Sequence, residues 1–171
     1  MSQYARDCRI AMIYEGTNGI QALDLVGRKL SMDGGKYMRE YLNLVQAFIN
    51  EEHSEDLKNN FITPLKQSIE HLQAALMFFM QNGLKNPLSA VSGATDFLHL
   101  VGLVSLGFIW SKKAQSAKDR LKDVSANKNF LEAKILTGSY FMHRQLPETK
   151  LRLDRILTGE KQVMSLAADQ F

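Results

Sequence analysis

A chain of 171 residues is about one domain long, and with 45% hydrophobic residues it can build a core. Its 21 basic and 18 acidic residues leave a mildly basic net charge of +3, mixed in sign. The single cysteine, Cys8, excludes a disulfide framework and fits a reducing, cytoplasmic compartment.

Apolar residues recur at helical spacing through most of the chain, and β-branched runs bounded by turn signals are almost absent. The class expected is all-α. A first short helix is predicted over residues 3–14, ending at Glu15-Gly16. It holds Arg6, Asp7 and Arg9 with no long apolar stretch behind them, so no secretory signal is read. Cys8, in the middle of this dense helical run, reads as a packing or incidental residue rather than a nucleophile. A second helix runs to about residue 32. Asn18 and Gln21 stand at capping-box spacing, with Thr17 as a second candidate cap. Ile20, Leu23, Val26, Gly27 and Leu30 fall on one face. Asp33-Gly34-Gly35 then stops the helix and marks a soft boundary between residues 1–33 and 34–171.

The third segment carries Met38, Tyr41, Leu42, Val45, Phe48 and Ile49 at 3–4 spacing, and Ser54 is a plausible cap for the next. Leu57, Phe61, Leu65, Ile69, Leu72, Leu76 and Phe79 form the stripe of a long fourth helix. Pro64 should kink it or mark an earlier end. Asn82-Gly83 closes this run and Asn86-Pro87 opens a fifth helix, predicted over residues 87–123. Val91, Ala94, Leu98, Val101, Ser105 and Phe108 are its expected core stripe. Gly93, Ala94, Gly102 and Gly107 would allow close approach of another helix, within the bundle or between subunits. The stretch 97–110 is apolar but spans fourteen residues against the about 20 a membrane span needs, so a buried core helix is expected. Lys112, Lys113, Lys118, Arg120 and Lys122, with Asp119 and Asp123 between them, read as a solvated helix face rather than a nucleic-acid patch. Asn127 should cap a sixth helix that turns Phe130, Leu131, Ile135, Gly138 and Met142 inward. Pro147 breaks it, and a last helical stretch turns near Gly159. Short connections between these segments predict an up-down bundle.

Local chemistry is sparse. There is no phosphate-binding glycine loop, and the four histidines are scattered. Asp96 and His99 share a face, which is too little for a metal site. The unusual feature is Glu15, a lone acid at a glycine-flanked break after Ile13 and Tyr14. Apolar neighbours would raise its pKa toward that of a general base, Gly16 leaves room for a ligand, and the following helix start offers N–H donors. A solvent-exposed acid in an interhelical turn explains the same residues.

The run "YARDCRIAMIYEGTNGIQ", residues 4–21, resembles the C-terminal signature of flavin-dependent acyl-CoA dehydrogenases. Arg6-Asp7-Cys8-Arg9-Ile10 matches its Arg-Asp-x-[Arg/Lys]-Ile run. Ile13-Tyr14-Glu15-Gly16-Thr17 matches its Ile-Tyr-Glu-Gly-Thr run, and Ile20-Gln21 its closing Ile-Gln pair. Residues 18–30, and the ending "LPETKLRLDRILTGEKQVMSLAADQF", are similar to one bacterial branch with an added C-terminal helical region, which includes enzymes acting on 3-methylmercaptopropionyl-CoA. The resemblance implies that residues 1–33 end the C-terminal catalytic domain and that 34–171 form an added four-helix module.

The resemblance further implies that Glu15 removes the α-proton of an acyl-CoA as a hydride leaves the β-carbon for the flavin, giving a trans-2-enoyl-CoA. The Glu15 N–H would polarise the thioester carbonyl. Gly16 would line the acyl-CoA site, and Thr17, Asn18 and Gly19 would touch FAD. An electron-transfer flavoprotein is the implied acceptor, and a homo-oligomer the implied assembly. The family's upstream Gly-Gly-x-Gly-Tyr stretch and β-domain do not occur in these residues. The 171 residues alone are therefore expected to hold FAD weakly or not at all. A non-catalytic helical bundle serving assembly is the alternative.

Overall fold

Three consecutive residues with left-handed backbone divide the chain, Asp33 (φ 48°), Gly34 (φ 64°) and Gly35 (φ 77°). A helix cannot pass through such a run, and glycine takes this conformation at no steric cost. The computed structural model describes residues 2–12, 17–83, 85–163 and 165–170. Among them there is no strand, and the fold is an all-α bundle.

Before the break lie α1 (Ser2–Arg9), a short tight turn of helix (Ile10–Met12), and α2 (Asn18–Asp24), which widens into a π-turn over Leu25–Lys29. After it come α3 (Lys36–Ile49) and the single turn α4 (Glu55–Leu57). A second π-turn (Lys58–Ile62) leads from α4 into α5 (Thr63–Asn82). The last three helices are α6 (Pro87–Arg120), α7 (Lys128–Arg144) and α8 (Glu148–Thr158). Pro64 is thus not inside a long regular helix. It sits in the first turn of α5, where its missing N–H leaves no unpaired donor, directly after the π-turn that offsets the hydrogen-bond register.

α6 is the axis of the bundle, with α5, α7, α8 and α2 packed around it. Phe61, Leu65, Ile69 and Leu72 of the α4–α5 stretch meet Phe97, Leu100 and Val104 of α6 in the core, closed by Met142 of α7 and Ile156 of α8. Phe79 and Phe97 meet edge-to-face with centroids 5.1 Å apart. The stripe expected for the fourth segment is the one buried, with Leu76 only partly covered. That expected for α3 is likewise turned inward, Val45, Phe48 and Ile49 fully and Met38, Tyr41 and Leu42 in part.

Four expectations differ. In α6 only Ala94 and Phe108 of the predicted stripe are buried; Val91 is 53% exposed, and Leu98, Val101 and Ser105 are half-buried. The helix is apolar all round and has neighbours on several sides, so periodicity alone cannot choose a face. The apolar stretch 97–110 is one part of this 34-residue helix, which is long and apolar enough to cross a membrane by length and composition. Here it is the central helix of the bundle. In α7, Leu131, Gly138 and Met142 are buried, but Phe130 points outward under the Lys134 ammonium. In the second segment, Ala22 is the buried residue and Ile20 and Leu23 are exposed. Val26 and Leu30 of the expected face do pack on the core, joined by Leu25 through the π-turn that Leu30 N–H closes on the Leu25 carbonyl at 2.9 Å.

The small residues of α6 divide by role. A Cβ on Gly93 would lie 3.3 Å from Phe79 Cζ, and one on Gly107 3.1 Å from Leu146 Cδ1, so both permit close packing inside the bundle. Gly102 has nothing within 4 Å.

Candidate functional site

The motif segment begins on α1. Every residue from Ser2 to Ala11 is exposed, including the Arg6-Asp7-Cys8-Arg9-Ile10 run. Local bonds hold the helix surface: Gln3 Nε2 donates to Asp7 Oδ1 at 2.6 Å, and Arg6 Nη2 donates to Gln3 Oε1 at 2.5 Å. Cys8 is a free, exposed thiol. Glu15 and Gly16, the base and the substrate-lining residue expected from the motif, lie outside the described residues.

Thr17, Asn18 and Gly19 are described, and all three are exposed at the start of α2. The cap assignment shifts by one residue. Thr17 holds the N-cap position and Asn18 is the first residue of the helix, and the Thr17 side chain makes no capping bond. The Thr17 carbonyl accepts the first intrahelical bond, from Gln21 N–H at 2.8 Å. The N–H groups of Asn18, Gly19 and Ile20 precede that bond, as at any helix start. Among the described residues, a Cβ on Gly19 would meet nothing within 4 Å. These are the residues for which the motif implies contact with FAD, as one wall of a site.

Behind this wall, Asp24 anchors the end of α2. Arg28 Nε lies 2.6 Å from Asp24 Oδ1 and Lys29 Nζ 3.2 Å from its Oδ2. These hydrogen bonds hold the Asp24 carboxyl down at about 2. The pairing ties α2 to the π-turn, whose Leu25 and Val26 pack on the core. α2 is thereby fixed to the bundle.

The remaining polar groups settle into structural pairs. Asp96 does not meet His99 in a metal cluster; Arg152 Nη1 of α8 lies 2.8 Å from its Oδ1, and Arg155 Nη1 3.6 Å. Among the described residues no three His, Cys, Asp or Glu side chains come together. Nothing in local spacing could reveal the Asp96–Arg152 pair, since its partners are 56 residues apart. The same holds for Glu160, which accepts from Asn86 Nδ2 at 2.6 Å and from the Ser89 hydroxyl. The basic cluster at the end of α6 divides similarly. Lys112 lies over the Phe108 ring, Lys113 over Trp110, Lys118 on Asp56 and Lys122 on Asp119.

Comparison with known proteins connects this segment with the bundle. The family described as acetyl-CoA dehydrogenase C-terminal like matches residues 41–167. The chain is 32% identical over 162 residues to 3-methylmercaptopropionyl-CoA dehydrogenase of Ruegeria pomeroyi, covering 94% of this chain and 27% of that protein. It is 27% identical over 175 residues to the broad-specificity linear acyl-CoA dehydrogenase FadE5 of Mycobacterium tuberculosis, covering 97% of this chain and 28% of that one. A butyryl-CoA dehydrogenase of Syntrophomonas wolfei is 24% identical over 149 residues, 85% of this chain and 24% of that protein. The chain thus spans about a quarter of the length of the curated relatives it matches.

Proposed function

The chain belongs to the acetyl-CoA dehydrogenase C-terminal-like family, and from that premise we propose that it is the C-terminal part of an FAD-dependent acyl-CoA dehydrogenase. In this reading residues 1–33 end the catalytic domain and 34–171 are an added helical module; the family match beginning at Tyr41 supports the division. The observation that carries the reading is the joint one. The relatives similar across 94% and 97% of the chain are named as acyl-CoA dehydrogenases, and the chain holds the Arg-Asp-x-Arg-Ile and Ile-Tyr-Glu-Gly-Thr runs together.

Glu15 acts as the base that takes the α-proton of the acyl thioester. Its own backbone N–H donates to the thioester oxygen, where charge develops as the proton leaves. Gly16 keeps the path to that oxygen free of a side chain. Thr17, Asn18 and Gly19 present the exposed start of α2 to FAD, and FAD when bound supplies the two-electron acceptor for the β-hydrogen. An electron-transfer flavoprotein reoxidises it. A cytoplasmic setting, with Cys8 free and exposed, belongs to the same reading.

The test uses the full-length parent enzyme. Glu15→Gln keeps the shape of the side chain and removes the base. It is expected to lower the rate of flavin bleaching by acyl-CoA by a factor of about 10² or more, with flavin content unchanged. Undiminished bleaching in that variant refutes the assignment.

One observation favours an assembly role beside the catalytic one. On α6, Leu106 and Ile109 are 51% and 45% exposed next to the open Gly102. This apolar face suits a helix of a second copy in a homo-oligomer.

A further inference from the structure

A groove of ≈ 810 Å³ opens between the segment following α2 and the junction of α5 with α6. None of its lining residues belongs to the motif segment, so what it binds is separable from the dehydrogenation proposed above. Val26 and Leu30 form one wall, Leu42 the next, and Met77, Met80 and Val91 the third. Met77, Met80 and Val91 are 54%, 76% and 53% exposed, a large apolar lip for a surface of this size.

Among the described residues only one lining side chain is charged, and it is a cation, Arg39. Its Nη1 donates to the Gly34 carbonyl, within the left-handed turn whose Gly34 and Gly35 also line the groove. No carboxylate pairs with it among the described residues, while its neighbours Lys36 and Glu40 pair with each other. A guanidinium has five N–H donors, so most of the Arg39 donors remain available to a ligand.

The volume falls within the about 300–1,000 Å³ of small-molecule sites, which combine apolar walls with a few placed polar groups. Unbranched methionines let such walls adapt to chains of different length. Charge complementarity selects the occupant: among the described residues, one cation without a carboxylate partner in otherwise uncharged walls suits one anionic head on one apolar tail. We propose that the groove binds a long-chain fatty carboxylate, with its tail along Val26, Leu30 and Met77 and its head on Arg39.

The experiment is displacement of the fluorescent fatty acid cis-parinaric acid from the 171-residue chain by palmitate, with 1-hexadecanol as the uncharged match. Palmitate is expected to displace the probe. Arg39→Gln should weaken palmitate about tenfold and leave 1-hexadecanol unchanged, while Val91→Arg should weaken both. Arg39 is exposed, so its variant should retain the helical circular dichroism of the parent, and the two-ligand comparison stands even if Val91→Arg misfolds. Absence of probe binding overturns the proposal, as does equal loss of both ligands in Arg39→Gln. A dimer in light scattering that Met80→Glu converts to a monomer, without probe binding to either form, also overturns it and makes the groove a self-interface.

Discussion

At the scale of single residues, the backbone of α6 and α7 separates glycines that look alike in sequence. A Cβ on Gly138 would lie 3.0 Å from Phe61 Cε1 and 3.1 Å from Trp110 Cε3, and the Phe61 ring is locked in the core. Gly138→Ala is expected to cost about 1 kcal/mol or more, overpacking outweighing the gain in helix propensity. Gly102→Ala meets nothing and should stabilise by up to about 1 kcal/mol. Urea unfolding midpoints of the two variants, moving in opposite directions, check the pair. His71 supplies a pH dependence. Thr149 Oγ1 donates to the Leu146 carbonyl and so accepts from His71 Nδ1, 3.0 Å away, a bond that both the neutral ring and the cation can make. Burial first, and then Lys150, lower its pKa from 6.5, with Glu70 and Asp154 opposing in part. The unfolded chain therefore takes up this proton first. The His71 contribution is full above about 6.5 and is lost as pH falls through and below that value. Glu160 and Asp24, whose carboxyls are held below their ordinary values, titrate at lower pH. The urea midpoint should fall between pH 7.5 and 5.5 in the parent, and fall less in His71→Gln.

At the scale of elements, starts and stops were more legible than faces. The break at Asp33-Gly34-Gly35, the opening of α6 at Pro87 and the stop at Gly159 stand where turn chemistry places them, because left-handed backbone and a missing N–H are local facts. Asn127 caps α7 as its type suggests, its Oδ1 accepting from Phe130 N–H at 3.1 Å. Asn127→Ala is expected to cost about 1 kcal/mol, read as a lower melting temperature in circular dichroism. The cap of α2 was displaced from Asn18 to Thr17, since capping boxes are short patterns that a one-residue shift satisfies nearly as well. Both π-turns were invisible to 3–4 spacing, and across the second the expected stripe stays buried on either side, from Leu57 to Leu72. Beyond Ala22, Val26 and Leu30 face inward as their spacing places them, with Leu25 beside them, while Ile20 and Leu23, ahead of the π-turn, are exposed. In the candidate site, residue types and order were legible from the motif. The exposure of Thr17, Asn18 and Gly19 was not, because it depends on what α2 packs against.

At the scale of the whole molecule, the exposed face of α6 carries a prediction of its own. If Gly102, Leu106 and Ile109 seat a second copy, Leu106→Asp should lower the molar mass in light scattering to that of a monomer without loss of helicity. An unchanged mass removes that face from the assembly. The sequence by itself determined the all-α class, the helix breaks and the membership signalled by the Glu-Gly-Thr motif, because each is written in neighbouring residues. Only the tertiary structure decided which sides of α6 are buried, that Asp96 pairs with Arg152, and that Arg39 lines an apolar groove. An all-round apolar helix has no preferred face until its neighbours are placed, and pairs 56 residues apart leave no periodic trace.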